Sequence, residues 1–284
     1  MGWSVRTRVR WLLCCGSLLA WTHGDVEKSL VGSEKSLVEV VEVGTRGAAG
    51  WSHFSIQGED YLAVANFFTS SPRKQQQFRT DSAVYRVEMS IDEMKLVKIQ
   101  HFRTAGAHGV EHFVSKGENF LAVPNYFGDD TLVMRWVDDK FEEHQRLETR
   151  GGGSVEAFRV KEQQMLAVAE FDAGEVSIWA LKEKFEERQR LLAPGVGAVA
   201  TMEVGNDVLL LAACYHDKEA GWRPKSLVFK LIDGSFKPYQ ELATVGAHDV
   251  EVASHKGRHF AFFSYDRDET STDLQSELFE LVDS

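Results

Sequence analysis

A short apolar cassette recurs along this chain of 284 residues, and it constrains the fold more than any other feature. It reads DYLAVANFF at residues 60–68, NFLAVPNYF at residues 119–127 and QMLAVAEF at residues 164–171. Two diverged copies follow, LLLAACY at residues 209–215 and HFAFFSY at residues 259–265, and the second places Ala261 at the position of Ala63 and Ala122. Copies spaced about 45 to 60 residues apart predict a repeat architecture with one supersecondary unit per copy.

Each copy of the cassette belongs to a set of four short runs. A glycine-rich run such as GAHGVEHF (residues 106–113) precedes it, and two further runs such as LVMRW (132–136) and HQRLET (144–149) follow it. Such runs, bounded by Gly, Asp or charged turns, are typical of β-strands. A single four-stranded sheet cannot bury both faces, whereas radial stacking of such sheets can. We therefore predict an all-β fold, a β-propeller with five four-stranded blades, in preference to a solenoid or a sandwich.

The two ends of the repeat region indicate how the ring closes. The fifth copy has no fourth run, while VEVGTRG at residues 41–47 resembles RLETRGG at residues 146–152. Because pairing removes free sheet edges, we expect this N-terminal strand to complete the last blade. The predicted domains are a linker at residues 25–36 and the propeller at residues 37–284.

The first 24 residues have a different character. Arg6, Arg8 and Arg10 form a basic stretch, WLLCCGSLLAW follows at residues 11–21, and THG ends the segment. This order predicts a secretory signal peptide, and hence a secreted protein, with an ordinary buried helix as the alternative. The apolar run is too short to span a bilayer, and we expect no membrane insertion elsewhere.

Charge and cysteine usage exclude several classes of protein. The formal net charge is −11, and the N-terminal 24 residues contain no acid, so the remainder is still more acidic. An acidic surface repels phosphate backbones, which argues against a nucleic-acid partner. Outside the expected signal peptide Cys214 is the one cysteine, which excludes an intrachain disulfide and a cysteine-based metal site.

The repeat motifs resemble those of a known family. GAHDVE at residues 246–251, LAVAN at residues 62–66 and the HQRLET run are similar to the EAR (EPTP, epilepsy-associated) repeat, as in the propeller of the leucine-rich glioma-inactivated secreted proteins. The resemblance covers residues 41–283 and is strongest in the second and third copies. It implies an extracellular propeller that binds another protein, such as a receptor ectodomain, and that carries no known catalysis. Well-known members have seven repeats, whereas five are found here.

Two long loops are the candidate partner-binding sites. They follow the first and fourth cassettes at residues 67–82 and 215–226, and both are basic and aromatic. Long loops on a rigid scaffold often carry recognition, and aromatic residues with arginine are typical of binding hot spots. The alternative is solvated insertions, and the aromatic residue after each cassette is also suited to packing between blades. The candidate contacts are Phe68, Lys74, Arg79, Tyr126, Trp222 and Arg223.

A second group of candidates is expected at the mouth of the central channel. It comprises His108, Glu111, Glu156, His248 and Glu251, which begin the inner strands. These side chains could hold a divalent cation, or the histidines could bond to backbone in their turns; we expect the second, with no metal and no cofactor. A propeller hydrolase acting on glycans or esters through these carboxylates is the alternative function, and we expect a protein that is not an enzyme. A structural oligomer or matrix component is not separable from a binding module by sequence.

Overall fold

The computed structural model describes residues 40–70, 76–90 and 93–282, and these residues form strands and no helix. The expected signal peptide and the linker lie outside the described residues. In chain order the strands are β1 Ala48–Ile56, β2 Glu59–Asn66, β3 Thr69–Ser70, β4 Gln76–Gln77, β5 Arg79–Met89, β6 Met94–Ala105, β7 Glu111–Ser115, β8 Glu118–Asn125, β9 Asp130–Val137, β10 Lys140–Glu148, β11 Gly152–Val160, β12 Gln163–Glu170, β13 Glu175–Leu181, β14 Phe185–Leu192, β15 Val196–Val204, β16 Asp207–Cys214, β17 Ser226–Ile232, β18 Ser235–Leu242, β19 Ala247–His255, β20 Arg258–Tyr265 and β21 Glu277–Leu281.

These strands form five antiparallel sheets, one for each predicted repeat. The first sheet has the order β1-β2-β5-β6, and the next three contain β7 to β10, β11 to β14 and β15 to β18 in sequence order. The fifth contains β19, β20 and β21, and the short pair β3-β4 lies within the first long loop. No helix in the described part of the chain has the length and apolar character needed to cross a bilayer.

The first strand of every sheet lines one central channel. Ser52, Glu111, Glu156, Thr201 and Glu251, from β1, β7, β11, β15 and β19, surround a cavity of about 910 Å³. Sheets that share an axis at their first strands are the blades of a propeller. The predicted five-bladed all-β propeller is therefore confirmed.

Small residues of the cassettes let neighbouring blades pack closely. Ala122 and Ala167 are fully buried, Ala122 in the same core as Phe185 and Ala167 in the same core as Phe236. One hydrophobic core joins each successive pair of blades, from the first to the fifth. Burial between blades, which a single sheet cannot achieve, is thus what stabilises the ring.

A glutamine in three of the four outer strands, β6, β10 and β14, also joins its blade to the next. The side-chain amide of Gln100 donates to the carbonyl of Phe141 (2.6 Å) and accepts from its N–H (2.8 Å). Gln145 binds Phe185 in the same way, and Gln189 binds Phe236. Each of these pairs satisfies both backbone groups where an outer strand begins, so the glutamine of the HQRLET run is a structural residue.

The last blade differs from the prediction. Among the described residues it has three strands, and Val41–Thr45 forms no strand beside β21. Val43 instead packs against Val64, Ala83 and Tyr85 of the first blade. The resemblance to residues 146–152 has a local cause, because the N–H of Arg46 binds Asn66 Oδ1 (3.0 Å) as the N–H of Arg150 binds Glu170 Oε2 (2.9 Å). The two sequences therefore match because each binds a backbone N–H, just before an inner strand, to a side-chain oxygen at the end of the second strand.

The register of the fifth cassette is also corrected. Glu111 pairs with Ala122, whereas Glu251 pairs with Phe262 and not with Ala261. Both hairpins turn through a two-residue Lys-Gly loop with positive φ at both residues, and this turn fixes the register. The shift of one residue makes Asp266, rather than Tyr265, the equivalent of Tyr126.

Candidate binding face

The links after β2, β8, β12, β16 and β20 emerge on one face of the ring, beside the links that enter each inner strand. In every blade a backbone hydrogen bond ties the two kinds of link together. The donors are the N–H groups of Phe67, Tyr126, Phe171, Tyr215 and Asp266, and the acceptors are the carbonyls of Gly47, Gly106, Gly151, Gly195 and Gly246. These bonds hold the first residue of each loop in a fixed position on a rigid frame.

Four of these positions carry aromatic rings that form a belt. The ring centroids of Phe67 and Tyr126 lie 6.4 Å apart, those of Tyr126 and Phe171 6.2 Å, and those of Phe171 and Tyr215 6.5 Å. At the fifth position the hydroxyl of Tyr215 donates to Asp266 (2.7 Å). The rings are half-buried against neighbouring blades, so the belt serves blade packing and also presents an edge to solvent.

A denser group of rings lies at the start of this belt, between the first and second blades. We name Phe67, Phe68, Phe78, Tyr126 and Phe127 the aromatic cluster. Phe78 and Phe127 lie 4.2 Å apart, Phe67 contacts both of them, and Phe68 packs edge-on to Phe67 at 6.1 Å. Phe127 remains 48% exposed. The structure thus brings the candidates Phe68 and Tyr126 together on one surface.

Phe127 was not among the sequence candidates. Its signal was present, because Asn-Tyr-Phe at residues 125–127 repeats Asn-Phe-Phe at residues 66–68. Reading both doublets together would have predicted the cluster. Lys74, another candidate, lies outside the described residues.

Trp222 and Arg223 from the fourth blade do not join the aromatic cluster. Trp222 packs against Tyr215 (4.9 Å) and His216 (4.5 Å), and the guanidinium of Arg267 lies 5.4 Å from its ring. Arg223 forms ion pairs with Asp268 (3.5 Å) and Glu269 (3.8 Å) of the next loop. Both side chains therefore hold two neighbouring loops together.

The two candidate histidines meet at the channel mouth. The ring centroids of His108 and His248 lie 5.8 Å apart, with Phe67 beside His108 (5.0 Å) and Tyr215 beside His248 (5.1 Å). His248 is the extra residue of a β-bulge between Ala247 and Asp249, and bulges at Ala49, Gly153 and Gly197 recur in other blades. A bulge redirects one side chain without breaking the strand, which explains how His248 reaches the mouth. His108 lies in the link that enters β7.

The candidate carboxylates lie deeper in the channel. Glu111 and Glu156 are buried, Glu251 is half-buried, and Thr201 Oγ1 donates to Glu156 Oε1 (2.9 Å). Within the described residues no three His, Cys, Asp or Glu side chains are grouped so that they could hold a metal ion. The bond from Thr201 thus holds one carboxylate oxygen of Glu156 in place inside the channel.

Cys214, the one cysteine among the described residues, is not a reactive nucleophile. Cys214 is buried, and burial, followed by the nearby Asp217, raises the pKa of its thiol to about 12. The thiolate needed for attack or metal binding is therefore negligible at neutral pH.

Arg79 lies on the rim of a groove between the first two blades. The groove has a volume of about 420 Å³, and Arg46, Arg103 and Arg146 also line it. Ala105 and Gly128 line the groove too, and Phe127 binds the first through its N–H and directly precedes the second, so the groove adjoins the aromatic cluster.

Solved structures give only distant likenesses. An exo-β-1,3-galactanase from Phanerochaete chrysosporium is 10% identical, with a TM-score of 0.47 over 79% of this chain and 57% of that one. A putative 6-phosphogluconolactonase from Bacteroides fragilis is 16% identical, with a TM-score of 0.49 over 78% of this chain and 68% of that one. At this level neither likeness bears on chemistry in this chain.

The sequence comparisons are more specific. Residues 37–86 and 95–137 match the family model of the EPTP domain. The thrombospondin-type laminin G domain and EAR repeat-containing protein of Homo sapiens is 33% identical over 144 residues, which is 48% of this chain and 20% of that protein. Its Mus musculus counterpart is 31% identical over 160 residues, or 54% of this chain and 21% of that protein. The chain thus spans about a fifth of the length of these curated relatives. Residues of its first two blades thus match the EPTP model, and about half of the chain is similar to EAR-repeat proteins.

Proposed function

We propose that this propeller is an extracellular, non-enzymatic binding module that contacts another protein through the aromatic cluster. The observation that carries the proposal is the exposed ring of Phe127, which packs against Phe78 at the edge of the aromatic cluster. Aromatic side chains that are fixed before binding bury a large area at little cost in entropy. The EAR repeats support a role in protein interaction, and the secretory pattern of residues 1–24 supports an extracellular partner.

The cluster is suited to this role because its backbone is held in place. Phe78 lies beside the link into the second blade, where its carbonyl accepts from the N–H of Gly106 (2.7 Å). Phe127 is anchored at its own N–H, which donates to the carbonyl of Ala105 (3.0 Å). A preorganised apolar surface on loops is a frequent site of recognition.

Replacing Phe127 by serine should weaken binding to the partner by about thirtyfold, the effect of losing one hot-spot side chain. The measurement is affinity capture from extracellular extract, followed by titration of the recovered protein against each variant. Phe262→Ser is the matched control, because Phe262 is 44% exposed on the last blade, away from the cluster. Equal binding by wild type and the Phe127 variant would show that the aromatic cluster is not part of the interface.

The channel carboxylates provide the test of the rival function. We expect the triple variant Glu111→Gln, Glu156→Gln and Glu251→Gln to retain partner binding, because these side chains lie inside the channel. It should also be slightly less stable than wild type, since the acceptor of the bond from Thr201 changes from a charged carboxylate to a neutral amide. The variant and wild type are compared by partner titration, thermal unfolding and hydrolysis of chromogenic glycosides and esters. Hydrolysis by wild type that the triple variant loses would establish an enzyme instead.

A further inference from the structure

The groove beside the aromatic cluster concentrates positive charge on an acidic protein. We name its four basic residues, Arg46, Arg79, Arg103 and Arg146, the arginine groove. They come from four separate segments: the entry to β1, the start of β5, the end of β6, and β10 of the second blade. The chain as a whole carries a formal net charge of −11, so this surface contrasts with its surroundings.

Three of these arginines are available for a partner. Arg146 is already held by Asp130 (2.5 Å) and Glu143 (2.8 Å). Within the described residues, the side chains of Arg46, Arg79 and Arg103 form no ion pair and are exposed. Two acids, Asp81 and Asp130, also line the groove, and its four arginines outnumber them.

A buried hydroxyl in the wall of the groove lacks a partner. Thr80 is 6% exposed, and its Oγ1 has no hydrogen bond. The neighbouring hydroxyls do have partners, since Thr104 Oγ1 donates to the carbonyl of Thr80 (3.0 Å) and lies 2.9 Å from Ser82 Oγ. Buried polar groups are normally satisfied, so an orphaned donor beside three arginines points to an acceptor supplied from outside.

The basic side chain of Arg103 is particular to this junction and does not arise from the repeat. Arg103 precedes the buried Thr104, and the residue that precedes the equivalent Thr149 in the second blade is Glu148. Packing of the blades therefore does not require a basic side chain here.

We propose that the arginine groove binds the carboxylates of an acidic segment in the protein partner, an inference that rests on the proposed function of the aromatic cluster. Arginine donates in a planar fork that matches a carboxylate, and such charge-assisted bonds are stronger than neutral ones. Since the groove adjoins Phe78 and Phe127, the segment carries an apolar residue next to its acids. A long polyanion, such as a sulfated polysaccharide, fits less well because the acidic surface beyond the groove repels it.

The experiment measures binding of a fluorescent peptide in which glutamates flank a leucine, with a glutamine version as the uncharged counterpart. We expect the glutamate peptide to bind wild type and the double variant Arg79→Glu, Arg103→Glu to bind it at least about tenfold more weakly. Added salt should weaken binding to wild type. Arg150→Glu is the matched control, since Arg150 is the exposed equivalent of Arg46 in the third blade. Circular dichroism verifies that the variants are folded.

The outcomes separate this inference from the proposed function. Equal binding of both peptides, or of the glutamate peptide to wild type and the double variant, overturns the arginine groove as an acidic-peptide site. So does a heparin oligosaccharide that binds wild type and displaces the peptide at lower concentration. Another outcome is that the Phe127→Ser variant captures the partner as well as wild type does, while the glutamate peptide still needs the arginines for binding. In that case the aromatic cluster is not the partner-binding site, and the arginine groove is still a site for acidic peptides.

Discussion

Phe185→Ala is expected to destabilise the propeller by about 3–5 kcal/mol, the cost of removing a large aromatic side chain from a well-packed core. Phe185 is almost fully buried between the second and third blades, where it packs edge-on to Phe113 with ring centroids 6.1 Å apart. Its backbone is also fixed by Gln145. The cavity cannot collapse readily because both of its walls are rigid sheets.

Urea unfolding followed by tryptophan fluorescence measures this loss, and thermal unfolding should shift downward by about 10 °C. The control is Leu192→Ala on the same strand, because Leu192 is 72% exposed and its removal should change stability by less than about 0.5 kcal/mol. A Phe185 variant as stable as the control would show that these two blades do not share a core.

Lowering the pH from 7 to 4 is expected to remove about 3 kcal/mol of stability through His112 alone. His112 lines the channel, where burial lowers its pKa to about 4; the hydrogen bond to Asn119 opposes this shift. Its ring stacks on Phe54 with centroids 4.4 Å apart, and its Nε2 lies 3.1 Å from Asn119 Oδ1. Between pH 6.5 and 4 His112 binds a proton in the unfolded chain but not in the folded one. The stability of the fold therefore decreases as the pH falls through this window.

The His112 contribution is isolated by comparison with His112→Gln, which keeps a polar side chain but cannot titrate in this range. Urea unfolding of both proteins at several pH values gives their difference in free energy, in which the other titrating groups cancel. We expect this difference to change with pH between 7 and 4. A constant difference across the range would contradict a buried, neutral imidazole.

The repeat made the blades predictable because each copy carries its own local signals. The Lys-Gly turns, the glycine at the start of each inner strand and the buried alanines act within one sheet or between nearest neighbours. The error in the last blade also has a local origin, since Ala261 imitates the small residue of the other cassettes. The number of residues after the turn at Lys256 fixes the register, and it places Phe262 opposite Glu251.

The site was harder to predict because it depends on contacts between distant segments. Arg46 and Arg103 line the same groove although they are far apart in sequence, and no motif connects them. Trp222 and Arg223 have the composition of a hot spot, but the loop after β20 in the next blade places Arg267 and Asp268 beside them. Composition thus identified basic aromatic loops, while their neighbours decide which side chains stay accessible.

The position of His248, which is a β-bulge in four of the five blades, has a consequence for stoichiometry. The same position holds Ala49, His108, Gly153, Gly197 and His248, and a Cβ at Gly153 would lie 2.5 Å from the carbonyl oxygen of Gly197. The third blade therefore cannot accept the imidazole that the second and fifth blades present. The entrance of the central channel consequently lacks the fivefold rotational symmetry that five identical blades would give it. A bound protein should sit in one orientation, with one molecule per ring rather than one per blade.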